Sequence, residues 1–198
     1  GVAETKMGNV GHKIIKHRLV AEKTPGTEDL STIAWSGDRG LTLVEQGPFG
    51  VIGAITPSTN PSETVLCNSI GMLAAGNSVV FNPHPSAIGV SSFAVSLVNK
   101  ASIMAGGPGR IAATVKKPTL ATADVMYKSK DIPLLVATGG PGVVTAVLST
   151  GKRAIGAGAG NPPVVVDETA DIPHAAESII NGATLDNNLP CIAEKEVV

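Results

Sequence analysis

Cys191 is the residue whose type and setting best suit covalent chemistry. It follows Pro190 directly, the pair Asn187-Asn188 lies just before it, and an amphipathic stretch feeds the loop. Proline stiffens such a loop, so that the Cys191 amide and sulfur face the same space. A thiol with an ordinary pKa of about 8.5 is only a few per cent thiolate at neutral pH. It still attacks carbonyl carbon well, because sulfur is soft and weakly solvated. A lone cysteine also serves as a small core side chain, and the surrounding loops must decide between the two uses. Cys67, within an apolar stretch from Glu63 to Ala75, is expected to be such a packing residue.

Four further stretches carry residue types suited to ligands. In Thr56-Pro57-Ser58-Thr59-Asn60-Pro61 two prolines fix the backbone and leave Ser58, Thr59 and Asn60 as oriented donors at a helix start, although an ordinary cap uses the same residues. In Asn82-Pro83-His84-Pro85 the histidine is pinned between prolines, either to contact a nucleotide or to cap the next helix. Thr138-Gly139-Gly140-Pro141-Gly142 brings bare backbone N–H groups to a helix N-terminus, where phosphate oxygens are favoured. It lacks the spaced G-x-G-x-x-G fingerprint. Gly156-Ala157-Gly158-Ala159-Gly160-Asn161-Pro162-Pro163 offers a smooth surface for a flat ring or a thioester. No metal-ligand set is assigned.

The elements that must position these stretches follow from hydrophobic periodicity. Residues 1–23 read as one polar helix whose His12, Lys13, Lys16, His17, Arg18 and Lys23 form a solvated face, or alternatively touch a ligand phosphate. A Thr24–Gly26 turn follows, and Leu41–Glu45 alternates as a strand. From Val51 onward short apolar runs (Val51–Ile55, Ser78–Phe81, Ile111–Val115, Leu134–Ala137, Val164–Val166) alternate with helical stretches. Those are 63–75, 90–104, 119–128, one after Gly142, and one tracing Ile172, Ala175, Ala176, Ile179, Ile180 and Ala183. Strand and helix in this rhythm predict an α/β fold with a Rossmann-like parallel sheet and helices on both faces. Ligands then sit beyond the carboxyl ends of the strands, where the four loops leave. The chain is expected to divide into an N-terminal helical and strand segment (1–46), a Rossmann-like dinucleotide-binding core (47–182), and the Cys191 loop with the start of a truncated catalytic domain (183–198).

Composition bounds the partners. The 198 residues are 43% hydrophobic and 16% charged with a formal charge of −1, which argues against nucleic acid and membrane surfaces. Two cysteines make no disulfide framework, so a reducing, cytoplasmic setting is expected. No apolar run is read as reaching a membrane span of roughly 20 residues. The chain opens on Gly1 and stops at Glu196-Val197-Val198, which reads as a strand cut off before its partner, so a fragment is expected.

Taken jointly, Thr56–Pro61, Asn82–Pro85, Gly156–Pro163 and Asp186-Asn187-Asn188-Leu189-Pro190-Cys191 resemble the CoA-acylating aldehyde dehydrogenases. Within that family they are most similar to the propionaldehyde and acetaldehyde dehydrogenases of bacterial microcompartments. The resemblance implies that Cys191 attacks a short-chain aldehyde, that NAD accepts the hydride, and that coenzyme A takes the acyl group. It implies an oxyanion held by the Cys191 amide and by Thr59 or Asn60, with gapless matching favouring Thr59 and residue type favouring Asn60. Thr56, Pro57, Ser58, Asn82, Pro83, His84, Pro85, Thr138, Gly139, Gly140, Ala157 and Gly158 are the implied cofactor contacts.

Departures from hydrolytic relatives sharpen this reading. Ala157 stands where those carry a water-activating glutamate, and a CoA thiol needs less help than water to attack a thioester. Asn82 and Pro85 replace a lysine and a glutamate that grip the adenosine ribose, which suits a site shared by NAD and CoA in turn. Lys6 occupies a position where relatives usually have glycine, and Ile88-Gly89 replaces a basic pair. The resemblance also implies a homo-oligomer at full length, and a microcompartment as an alternative address to open cytoplasm. Two other readings stay open: the aldehyde-oxidising part of a bifunctional aldehyde-alcohol dehydrogenase, and a non-catalytic nucleotide-binding or assembly module.

Overall fold

The computed structural model describes residues 1–198. Five strands, β3 (Val51–Thr56), β4 (Ser78–Pro83), β5 (Ala112–Thr114), β6 (Leu134–Thr138) and β7 (Arg153–Ala157), form one parallel sheet in the order β5-β4-β3-β6-β7. The chain runs outward from β3 to β5 and then returns to β6, so the order reverses between β3 and β6. That reversal opens the crevice in which sheets of this kind bind ligands.

Alternate side chains of each strand serve opposite faces. Ala54, Val79, Phe81 and Ala112 pack on Val65 of α3 (Pro61–Ala74) and on Ala94 and Val95 of α4 (Ile88–Met104). On the other face Leu135 and Ala137 meet Met126 of α5 (Leu120–Lys128) and Val147 of α6 (Pro141–Leu148). The α5 contact is so close that a Cβ on Gly53 would lie 2.9 Å from Met126 Sδ. Helix starts follow their sequence signals: Pro61 opens α3, and Thr119 and Thr122 form a reciprocal capping box on α5.

Several elements differ from the sequence expectation. The N-terminal stretch is two helices, α1 (Val2–Thr5) and α2 (Val10–Lys23), parted where Lys6 (φ 58°) and Gly8 (φ 86°) take left-handed conformations. Lys6 thus holds a backbone conformation that glycine adopts more readily. Two strands escaped the sequence reading. One is β1 (Ile33–Gly37), which pairs antiparallel with β2 (Gly40–Val44) in an exposed hairpin; the other is β7, whose glycine and Arg153 mask its periodicity. Since β7 runs through Ala157, the glycine-rich loop begins at Gly158.

The chain end also departs from expectation. The short strands β8 (Pro163–Val164) and β9 (Glu196–Val197) pair in parallel outside the main sheet, so the last strand does have a partner within this chain. Between them α7 (Ile172–Thr184) starts on Asp171, whose side chain accepts from the His174 N–H at 3.1 Å. Contrary to the reading that no apolar run reaches membrane length, the 20-residue helical stretch Pro85–Met104 is long and apolar enough to cross one. Here its inner residues pack on the sheet, while Phe93, Leu97 and Met104 are exposed.

Phe81 is fully buried at the centre of the α3–α4 face. Phe81→Ala is expected to cost about 3–5 kcal/mol, measured by urea unfolding, because the aromatic volume cannot be refilled from a rigid sheet.

Candidate active site

Backbone pairing brings the loops at the carboxyl ends together. Thr56 lies beside Pro83, and the His84 N–H donates to the Thr56 carbonyl at 3.0 Å. Thr138 lies beside Ala157, and the Gly139 N–H donates to the Ala157 carbonyl at 3.1 Å. Since β3 and β6 are neighbours, with Ile55 beside Ala137, both loop pairs share one end of the sheet.

Their side chains divide into two kinds. Thr56 and Asn82 are buried, and Thr56 Oγ1 and Asn82 Oδ1 have no hydrogen-bond partner. Pro83 is buried with them; Pro57 and Ser58 are half-buried. His84 and Pro85 are exposed, and His84 Nδ1 accepts from the Ser86 N–H at 3.2 Å. His84 thereby caps the short 3-10 turn Pro85–Ala87 that leads into α4. At the other loop pair Gly140 precedes α6 without a side-chain cap, and a Cβ on Gly140 or Gly158 would meet nothing within 4 Å.

The nucleophile candidate is held by backbone. Cys191 is exposed, between the buried Pro190 and Ala193. Gly160 presses against it so closely that a Cβ there would overlap the Cys191 carbonyl oxygen, which places the glycine-rich loop directly on Cys191. Lys195 Nζ donates to the Asn188 and Pro190 carbonyls at 3.0 and 3.1 Å, and Asn188 Nδ2 donates to the Ala183 carbonyl at 2.6 Å. Asp186, Asn187 and Asn188 are all left-handed, with φ of 49°, 57° and 59°. Each such residue costs roughly 1–2 kcal/mol, so something must hold the turn.

What holds it is a buried ionic cluster. Asp186 is 0% exposed. Its carboxylate accepts from Lys16 Nζ at 2.7 Å and from the Asn9 N–H at 2.7 Å, and lies 3.0 Å from Lys13 Nζ, while its own N–H donates to His12 Nδ1 at 2.8 Å. Lys13 Nζ also lies 3.3 Å from Glu63 Oε1 and donates to the Thr59 carbonyl and, at 3.0 Å, to Asn60 Oδ1. Lys16 Nζ donates to the same Asn60 Oδ1. Two cations thus face two carboxylates and the Thr59–Asn60 loop.

Burial by itself would raise the Asp186 carboxyl, but the bonds from Lys16, the Asn9 amide and Lys13 outweigh it and hold the carboxyl below its ordinary value. For Lys16 burial is the dominant influence. Against the pull of Asp186, it lowers the ammonium below its usual range.

Two expectations are corrected here. Lys13 and Lys16 are not part of a solvated face: Lys13 is 8% exposed and both point inward. Their i, i+3 spacing, continued by His17, was the available signal, and His17 Nε2 does reach Ser62 Oγ at 2.8 Å. Cys67 is exposed rather than packed, because its position on α3 faces away from the sheet toward Thr24, whose hydroxyl donates to Sγ at 3.8 Å.

The profile of the aldehyde dehydrogenase family matches residues 2–198. The chain belongs to the aldehyde dehydrogenase family. The propanal dehydrogenase (CoA-propanoylating) of Salmonella typhimurium is 51% identical over 195 residues, which are 98% of this chain and 42% of the relative. The propionaldehyde dehydrogenase of the Clostridium phytofermentans fucose utilisation microcompartment has 76% identity and a TM-score of 0.94, over 99% of this chain and 45% of that one. A Rhodopseudomonas palustris propionaldehyde dehydrogenase with bound CoA and an acylated cysteine has 63% identity and a TM-score of 0.93, again over 99% and 45%. This aldehyde dehydrogenase chain therefore spans less than half the length of these relatives, and shares with them the α/β sheet and helices described above.

The Asp186 cluster gives this aldehyde dehydrogenase chain a defined acid response. A carboxyl held low in the fold contributes stability that is present above its unfolded value and is lost as pH falls through its folded value. Asp186→Asn is expected to destabilise the protein at pH 7 by about 3–5 kcal/mol, since it leaves buried cations unbalanced. Denaturant melts across pH 2–7 should also show a shallower acid loss in the variant.

Proposed function

We propose that this chain carries the cofactor-binding and nucleophilic parts of an NAD-dependent, CoA-acylating oxidation of short-chain aldehydes. The observation that carries the reading is the exposed Cys191, presented by a fixed turn against the glycine-rich loop, beyond a strand that ends in Ala157 rather than in a carboxylate. The similarity to an enzyme with bound CoA and an acylated cysteine supports it.

The residues present fit a dinucleotide. Thr56 Oγ1 and Asn82 Oδ1 are buried polar atoms without partners at adjacent strand ends. At the start of α6 Pro141 has no N–H and the Val143 N–H is taken by the Gly140 carbonyl, which leaves the Gly142 N–H to meet a phosphate, with Gly140 and Gly142 leaving room for it. Thr56, Pro57, Ser58, Asn82 and Pro83 would hold one part of the cofactor, and Thr138, Gly139 and Gly140 another. Bound there, NAD supplies the hydride acceptor.

The chain's own steps follow from charge. Cys191 Sγ, as thiolate, bonds to the aldehyde carbon while the carbonyl electron pair moves to oxygen. The resulting oxyanion accepts from the Cys191 N–H and from a side-chain donor in the loop after β3. Asn60 is the better donor of the two candidates. Its Oδ1 is taken by two ammonium groups, which leaves Nδ2, 3.4 Å from Thr59 Oγ1, to donate. Collapse of the oxyanion with loss of hydride leaves an acyl thioester on Cys191. The CoA thiolate then adds to the thioester carbon and expels the Cys191 thiolate. With a methyl group at Ala157, nothing at that position activates water, and transfer to CoA wins over hydrolysis.

The full-length protein is, in this reading, a homo-oligomer working in a bacterial microcompartment such as the one named for the Clostridium relative. The exposed Trp35, Leu41 and Leu43 of the β1–β2 hairpin supply apolar surface for assembly.

In the full-length enzyme Cys191→Ser is expected to lower kcat for propionaldehyde oxidation by about 10³-fold or more. Wild-type protein given aldehyde and NAD without CoA should carry an acyl group on Cys191 by mass spectrometry, and adding CoA should release it. Turnover retained by the serine variant, or an adduct elsewhere, would sink the reading.

A further inference from the structure

We propose that the buried Lys13–Lys16 pair is a positioning element for the reaction: it fixes the Asn60 amide and the Cys191 turn with respect to each other. The inference rests on the reading of Cys191 as nucleophile and Asn60 as oxyanion donor.

Three observations carry it. Both ammonium groups donate to Asn60 Oδ1. A lysine ammonium has donors only, so a flipped amide would set its NH₂ against two cations. The amide is therefore locked with Nδ2 turned away from the lysines, where one contact is Thr59 Oγ1 at 3.4 Å. The same two ammonium groups lie 3.0 and 2.7 Å from Asp186 Oδ2. Asp186 in turn is joined to Cys191 by a short connection that begins with left-handed residues and is pinned by Lys195 and Asn188. One pair of cations thus bridges the two halves of the reacting constellation, which lie far apart in sequence.

Stability alone does not account for the arrangement. Replacing a buried ion cluster by well-packed apolar side chains is often neutral or stabilising. An apolar substitute, however, would leave the Asn60 amide free to rotate and Asp186 without its anchor.

The test is a double-mutant cycle in the full-length enzyme, with Lys16→Met, Asn60→Ala and their combination assayed on propionaldehyde, NAD and CoA. Lys16→Met is expected to lower kcat by about 10²-fold through misplacement of the reacting groups, with KM values within about threefold. The double variant is expected to retain at least about threefold more kcat than the product of the two single losses, because the part of the Lys16 effect that acts through Asn60 is already gone while its hold on Asp186 is still lost. Lys16→Gln keeps a neutral donor for Asn60 Oδ1 and should recover about tenfold of the lost kcat. It also carries the cycle in place of Lys16→Met should that variant not fold. Losses that multiply in the double variant, or a Lys16 variant within about twofold of wild type, would overturn the positioning role. Full activity in Cys191→Ser or Asn60→Ala would instead overturn the reading beneath it.

Discussion

A carboxylate with no exposure to solvent is tolerable only if its charge is met on the spot, and Asp186 meets this condition through Lys13, Lys16 and the Asn9 amide. Much of the local architecture follows from that requirement. Helix α2 must lie against the C-terminal turn so that its lysines can reach in, and the left-handed break at Lys6–Gly8 sets the angle at which it does so. A side chain on Gly8 would run into both Asp186 and Lys13. Glu63, near the start of α3, completes the balance of charge and ties the cluster to the sheet. Roughly 1–2 kcal/mol of strain at each left-handed residue of the turn is set against charge-assisted hydrogen bonds of about 1.5–3 kcal/mol each. These contacts hold the turn in place and with it Cys191.

How legible this was in the sequence depends on the range of the interaction. Buried parallel strands announce themselves as short apolar runs, and Val51–Ile55, Ser78–Phe81 and Leu134–Ala137 each fall within an observed strand. The prolines and glycines of the loops marked the carboxyl ends of strands for the same local reason. Strand β7 was hidden because Arg153 and Gly156 break its apolar run, and β1 because Ile33–Gly37 does not alternate. The ionic cluster was invisible for a different cause. A lysine on a polar helix looks solvated unless its partner is known, and the partner here lies 170 residues away. Asp and Asn permit left-handed backbone but do not require it, so Asp186–Asn188 carried no local sign of the turn. Cys67 illustrates the converse: an apolar helix has an outward face as well, and composition cannot say on which face a residue falls.

The site is also notable for how little of its precision comes from side-chain packing. Aromatic residues are only 3% of the chain, and the closest contacts on Cys191 are made by backbone. Prolines hold the loops after β3 and β4. Glycines let the loop after β7 approach until Gly160 rests on the Cys191 carbonyl. Carbonyl contacts from Lys195 steady the turn on its other side.

Such a design suits a site that, in the proposed reaction, admits two bulky ligands in succession. Walls built from backbone keep their place when one ligand leaves, whereas a pocket lined by long rotameric side chains would have to be reordered each time, at a cost in side-chain entropy of up to about 2 kcal/mol per residue. The same logic explains where the flexible, charged side chains are found. Lys13 and Lys16 are long and rich in rotamers, yet both are locked by carboxylates and by Asn60. Their conformational freedom is lost during folding, not during turnover. The entropic cost of order is thus set against the ionic cluster at the stage of folding, and the Cys191 turn meets each ligand already in place.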